Sequence, residues 1–203
     1  MNAELDELYN LIYFDETTKE AHTFIKRVES KIHLIEKTDF KDNEDNQKAL
    51  RLLSDYGIVL YNRGFLKKAL HYLELAIQHF EKDEVAKTKD LLDKPMYESL
   101  VFHHGMTLYH LKRYKEAKAD FKRLIDKYPG NDKYTSWING LKTQKLVYIE
   151  WGFAIIAIVG VVLSTHFTPE DGIIERISFF ILIIGFLGGI ITMLIKKRIT
   201  SFK

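Results

Sequence analysis

Cysteine is absent from this 203-residue chain. Disulfide frameworks, zinc knuckles and thiol catalysis are thereby excluded, which suits a reducing compartment. Also missing are a Gly-rich phosphate loop, a nucleophile elbow and any Ser/His/Asp set, so the chain does not read as an enzyme. Eight histidines are present, and His103, His104 and His110 share one predicted helix. Adjacent residues point apart, however, and no HExxH or paired-carboxylate spacing follows. No metal and no cofactor are expected. The N-terminus is polar and acidic, so a cleavable leader is not expected either.

The averages, a net charge of +2 and 29% charged residues, describe a soluble globular protein. They hide a segregation. Residues 1 to 100 carry 15 Lys+Arg against 20 Asp+Glu, residues 101 to 150 carry 10 against 5, and residues 151 to 203 carry 5 against 3. Before residue 147 the apolar positions are spaced; after it they form blocks.

From Trp151 to Leu163 no residue is charged, and neighbours on both sides extend the run toward the ~20 residues that cross a hydrocarbon core. Glu150 lies beside Trp151 and Tyr148, an interfacial setting for an acid. A second run, Ile177 to Ile195, is uncharged over 19 residues and stops at Lys196-Lys197-Arg198. Between them, Thr168 suits a helix cap, Pro169 a first helical position, and Glu170 with Asp171 a first turn. This predicts a transmembrane hairpin over 147–203, with spans at about 147–167 and 173–195 and a basic tail. Lys142, Lys145, Lys196, Lys197, Arg198 and Lys203 flank its outer ends. The positive-inside bias then places both termini in the cytoplasm.

A repeat organises residues 1 to 146. At a shift of 48, "GIVLYNRGFLKKALHYLELAI" aligns with "GMTLYHLKRYKEAKADFKRLI". Gly57 matches Gly105, Leu60 matches Leu108, Tyr61 matches Tyr109, Leu66 matches Tyr114, Ala69 matches Ala117 and Leu73 matches Phe121. The opposite shift finds a weaker copy at Ile12, Tyr13, Ala21, Ile25 and Val28, with Tyr9 where Gly is expected. These residues resemble the tetratricopeptide repeat family, whose helix-turn-helix units place Gly and Ala where two helices cross and large apolar residues beside them. The spacing of 48 exceeds the family's usual ~34, so residues 84 to 97 lengthen a helix or form a connector, and Pro95 starts the next helix. The resemblance implies an all-α cytoplasmic domain over 1–146, with repeats at about 3–37, 50–83 and 98–131 and a closing helix at 134–147. Residues 38 to 47 read as an acidic surface loop.

In this family the first helices line a concave face that holds a partner. The resemblance puts Arg51, Ser54, Ile58, Tyr61, Phe102, His103, Met106, Tyr109 and His110 on it, with Gly57, Ala69, Gly105 and Ala117 as packing positions. Such an aromatic and apolar groove suits an amphipathic helix or hydrophobic peptide; the alternative is that a neighbouring helix of the same chain buries Phe102 and Met106. Lys112, Arg113, Lys115, Lys118, Lys122 and Arg123 form a basic cluster, read as a solvated face or as a contact for anionic lipid or an acidic partner. No nucleic-acid motif accompanies it. In the hairpin, Gly160 with Ser164 and Gly185 with Gly189, beside Gly188, are small-xxx-small surfaces for helix packing.

The expected function is a membrane-anchored scaffold or adaptor that recruits a protein partner at the cytoplasmic face. The alternative is an oligomeric membrane effector, pore-forming or membrane-disrupting as in small two-part bacterial defence proteins, with the repeats as its sensor and the hairpins as a homo-oligomer.

Overall fold

The computed structural model describes residues 2–36, 43–82, 91–166 and 172–201. All regular structure among the described residues is helical. The chain divides into two compact units, Met1–Pro129 and Gly130–Lys203.

The first unit is a stack of antiparallel helices. α1 (Ala3–Tyr13) is capped by Asn2, whose side chain accepts from the backbone N–H groups of Glu4 and Leu5, satisfying donors a helix start leaves open. A 3₁₀ turn (Glu16–Lys19) leads to α2 (Ala21–Ser30) and the short α3 (Ile32–Glu36). Then come two helical pairs, α4 (Asn43–Asn62) with α5 (Leu66–Lys82) and α6 (Pro95–His110) with α7 (Tyr114–Lys127). Pro95 opens α6 as the sequence predicts, since its missing N–H would have no intrahelical partner there.

The two pairs repeat each other at the spacing of 48. Leu52, Leu53, Tyr56 and Leu60 of α4 and Ala69, Leu73 and Ala76 of α5 are buried, as are Leu100, Gly105 and Leu108 of α6 and Ala117, Phe121 and Leu124 of α7, and α4 packs on α5 as α6 does on α7. A Cβ on Gly57 would lie 2.9 Å from Leu73 side-chain carbons, and one on Gly105 would lie 3.0 Å from the Phe121 ring. The missing side chains therefore let each pair close. The turns also coincide. Phe65 N–H donates to Leu60 C=O (3.0 Å) and Arg113 N–H to Leu108 C=O (2.9 Å), the six-to-one bond of a helix that ends in a left-handed residue.

The first copy follows this pattern less closely. Its buried α2 residues are Phe24 and Val28, while Ala21 and Ile25, the expected inner positions, stay partly exposed. The 3₁₀ turn ahead of α2 shifts the face it presents. Residues 43 to 47 belong to α4 rather than to the expected acidic loop, because Asn43, Glu44 and Asp45 suit a first helical turn. The rest of that loop, and the first half of the 84–97 connector, lie outside the described residues.

The second unit is a pair of long helices, α8 (Asp132–His166) and α9 (Gly172–Ser201). Both are long and apolar enough to cross a membrane. The expected closing helix 134–147 runs without a break into the first span as the continuous α8, which belongs with α9 to the second compact unit. Its 35 residues, at about 1.5 Å each, outreach a hydrocarbon core of ~30 Å. Thr168 to Asp171 lie outside the described residues, and α9 continues past the expected end at 195, through the basic cluster.

α8 and α9 pack antiparallel through small residues. A Cβ on Gly185 would sit 2.6 Å from the Ala157 backbone nitrogen, one on Gly160 2.9 Å from that of Leu182, and one on Gly188 2.3 Å from the Phe153 ring. Ser178, Gly185, Gly188 and Thr192 are buried along this seam, at the 7-residue and 3-residue steps of a left-handed helix pair. Gly189 does not belong to it, since a Cβ added there would have nothing within 4 Å. Ser164 is exposed and donates to Val161 C=O (2.8 Å). At the open end Lys196 Nζ donates to Glu150 Oε2 (2.6 Å), joining the acid before one apolar run to the first cation after the other.

Candidate partner-binding face

Three helices that open helical pairs, α1, α4 and α6, lie side by side. Parallel ties hold α1 on α4: Asn2 N–H donates to Asp45 Oδ2 (2.7 Å), Lys48 Nζ to Asp6 Oδ1 (2.6 Å), Arg51 Nη1 to the Tyr9 hydroxyl (3.0 Å) and the Tyr13 hydroxyl to Asp55 Oδ2 (2.5 Å). Each tie links residues 42 or 43 apart. The two helices thus run in the same direction, in register.

At the α1–α4 junction the Arg51 guanidinium lies over the Tyr13 ring, 4.3 Å from its centroid, and 5.9 Å from that of Tyr9, while the two tyrosines pack at 4.5 Å. Cation–π attraction and the Tyr9 hydrogen bond fix the arginine's stem, and its head is half exposed, ready for an incoming acceptor. Burial holds the Asp55 carboxyl above the usual carboxylate range, with Tyr13 and Arg51 opposing it. Burial and the neighbouring Asp55 push the Tyr13 hydroxyl strongly up, so it is a donor at every physiological pH.

At the α4–α6 junction Tyr61 is central. Its ring meets His103 at 5.8 Å and His110 at 5.9 Å, and its hydroxyl approaches Met106 Sδ at 3.6 Å. His103 Nδ1 lies 2.7 Å from Ser99 C=O. Tyr109 stands beside His110 and Tyr114. Tyr13, Tyr61 and Tyr109 hold equivalent places at the repeat spacing, so each copy gives the face a tyrosine at that position.

The structure brings Arg51, Ile58, Tyr61, His103, Tyr109 and His110 to partly exposed positions on these helices. Three expected lining residues are not available there. Ser54 is fully buried, its hydroxyl donating to Leu50 C=O (2.6 Å). Phe102 is buried with its ring 6.0 Å from Phe121, and Met106 is buried under Tyr61. An apolar residue on a first helix is taken up by its own pair before it can face a groove. In their place, beside Asp55, one of the first-helix positions the repeat frame puts on this face, stands Tyr9, visible in the sequence only as a departure from the repeat. The i, i+4 pairing of Tyr9 with Tyr13 on α1 is the signal that points to it.

Of the basic cluster, Arg113 and Arg123 are tied. Arg113 donates to both oxygens of Glu116 (2.7 and 2.6 Å) and lies 3.8 Å from Glu74, whereas Arg123 donates to the Tyr97 hydroxyl (2.9 Å) and lies 3.6 Å from Glu81. Lys112, Lys115, Lys118 and Lys122 are exposed. His104, adjacent to the face in sequence, turns inward instead, with Nδ1 2.7 Å from Asp120 Oδ2 on α7. Among the described residues no group of His, Asp and Glu is arranged to hold a metal ion.

No protein-family model matches this chain, and no curated protein and no solved structure matches it.

Proposed function

We propose that the chain is a membrane-anchored scaffold, in which tetratricopeptide-like helical pairs on the cytoplasmic side hold a protein partner and the α8–α9 hairpin fixes them to the bilayer. The observation that carries the anchor is the exposure of large apolar side chains on both helices of the hairpin: Trp151 (67%), Ile158 (62%), Phe179 (62%) and Phe186 (64%) are mostly uncovered. A helix from a soluble core would have these buried, and in lipid they need no cover. Support for the partner site comes from the Tyr9, Tyr13, Arg51 and Tyr61 side chains, amphipathic anchors of the kind enriched where proteins meet. Lys196, Lys197 and Arg198 beyond α9's apolar run, with Lys142 and Lys145 early in α8, favour cytoplasmic termini.

The oligomeric effector reading has less support. Gly185 and Gly188 are engaged by α8 within one hairpin, and the outward faces are apolar rather than polar enough to line a pore.

Because the chain lacks cysteine, single introduced thiols report topology without background. A thiol added after Lys203 is expected to resist an impermeant maleimide in intact cells, and Asp171→Cys to react. The opposite labelling overturns the orientation, and loss of the protein from carbonate-washed membranes overturns the anchor. For the face, a photo-crosslinking side chain at Tyr61 is expected to give one defined adduct in membranes that Arg51→Glu abolishes. Adducts indifferent to Arg51→Glu reject the face.

A further inference from the structure

We propose that the edge formed by the two helical turns Arg63–Phe65 and Leu111–Arg113, with the lysine stripe of α7, rests on an anionic lipid surface. The inference builds on the membrane-anchored reading.

Three observations carry it. First, α7 sorts its charges. Glu116 is taken by Arg113 and Asp120 by His104. Lys115, Lys118 and Lys122, spaced three and four residues apart, fall on one exposed stripe that Lys112 extends into the turn, and Asp126 is the acid beside it. Second, the two turns emerge together. Tyr61 of α4 lies level with His103 to His110 of α6, so the chain leaves both helices at the same end a few residues later. Third, Phe65 stands on that edge with 56% of its surface exposed, next to exposed Arg63. The corresponding turn has Arg113 in its place.

Exposed lysines alone suit any anion. An exposed aromatic among them is the pattern of a segment that sits at headgroup depth, its ring below the phosphates and its cations among them. A bilayer is tethered to this unit by the chain itself, whose first apolar run opens near Val147.

The test uses the full chain in vesicles, with one thiol introduced at exposed Asn62, labelled with an environment-sensitive fluorophore, and Phe65 left in place. A matched label at Gln78, about 18 Å further along α5 at 1.5 Å per residue, is the control. In phosphatidylcholine vesicles containing phosphatidylglycerol the Asn62 label is expected to shift to shorter wavelength and to lose most of its quenching by aqueous iodide. In pure phosphatidylcholine it should do neither, and the Gln78 label should not respond in either. Lys112→Glu with Lys115→Glu, or high salt, should reverse the shift.

If the protein stays in carbonate-washed vesicles while the Asn62 label ignores phosphatidylglycerol, this inference fails and the anchor stands. Both fail if the protein does not remain with the vesicles. A shift produced by an added oligonucleotide or acidic protein, but not by lipid, overturns the lipid assignment in favour of that partner.

Discussion

Gly64 and Lys112 occupy the same place in two copies of one turn, 48 residues apart, and both have left-handed backbones, with φ of 80° and 64°. The bonds around them match: Gly64 N–H donates to Tyr61 C=O and Lys112 N–H to Tyr109 C=O, each at 2.9 Å. Glycine adopts this conformation without a Cβ penalty, whereas a lysine is strained in it. The two residues therefore respond oppositely to substitution.

Lys112→Gly is expected to stabilise the first unit by up to about 1 kcal/mol, the relief of the left-handed penalty less the greater entropy of an unfolded glycine. Gly64→Ala should cost about 1 kcal/mol. Nothing lies within 4 Å of the added methyl, so the cost is conformational rather than steric. Hydrogen exchange of the flanking helices in the detergent-solubilised chain, read against temperature, measures both. A destabilising Lys112→Gly would contradict the account.

How far the sequence reveals such features depends on whether they are local. The Gly57–Gly105 and Leu73–Phe121 matches announce close helix crossings, and the geometry has them. Periodicity also tells which residues share a helix face, but not which face a neighbour covers. Phe102 and Met106 read as groove residues and are buried, since α7 and Tyr61 reach them first. Similarly, Gly185 and Gly189 are a legible small-xxx-small pair. The seam instead follows Ser178, Gly185 and Thr192 at steps of seven with Gly188 between, because a left-handed crossing with α8 sets the register. The 3₁₀ turn that displaces Ala21 and Ile25 leaves no pattern that a comparison at fixed shift could detect.

Tyr97 makes stability fall at alkaline pH. It is fully buried, its hydroxyl donating to Glu81 Oε1 (2.7 Å) and accepting from Arg123 (2.9 Å). Burial first, then the Glu81 carboxylate, push its hydroxyl up to about 12. With the folded value above the unfolded one of about 10, the folded state holds the proton more tightly. The contribution is complete below pH ~10 and is lost as pH rises through about 12. Tyr97→Phe is expected to lower stability at neutral pH by about 1 kcal/mol and to flatten the decline between pH 10 and 12. Exchange protection of α6 amides across that range decides it, and an unchanged alkaline slope would speak against Tyr97 as a source.

Glu150 and Lys196 give the hairpin a polar clasp. The pair is about one-third exposed, so its worth is discounted from a buried ion pair to a coupling of about 0.5–1 kcal/mol. Glu150→Gln, Lys196→Gln and the double variant form a cycle for hairpin unfolding in mixed micelles. The double variant should be more stable than the sum of the two single effects allows. Strict additivity would mean that the contact does not hold the helices in register.

Gly185 and Gly189 differ by one helical turn and should behave as opposites. At Gly185 a Cβ would meet the Ala157 backbone at 2.6 to 2.8 Å, and a main chain cannot move aside as a side-chain tip can. Gly185→Leu must push α8 and α9 apart, losing the contacts of Gly160 with Leu182 and of Gly188 with Phe153 as well. A loss of about 1–3 kcal/mol, the usual range for overpacking, is expected. Gly189→Leu meets open space and adds apolar surface away from the α8–α9 seam, so it should leave the hairpin intact. Energy transfer between fluorophores on the two helices, followed through a titration with denaturing detergent, compares them directly. Should Gly189→Leu separate the helices and Gly185→Leu not, the sequence's GxxxG pair, rather than the seam through Gly185 and Gly188, would be the true contact.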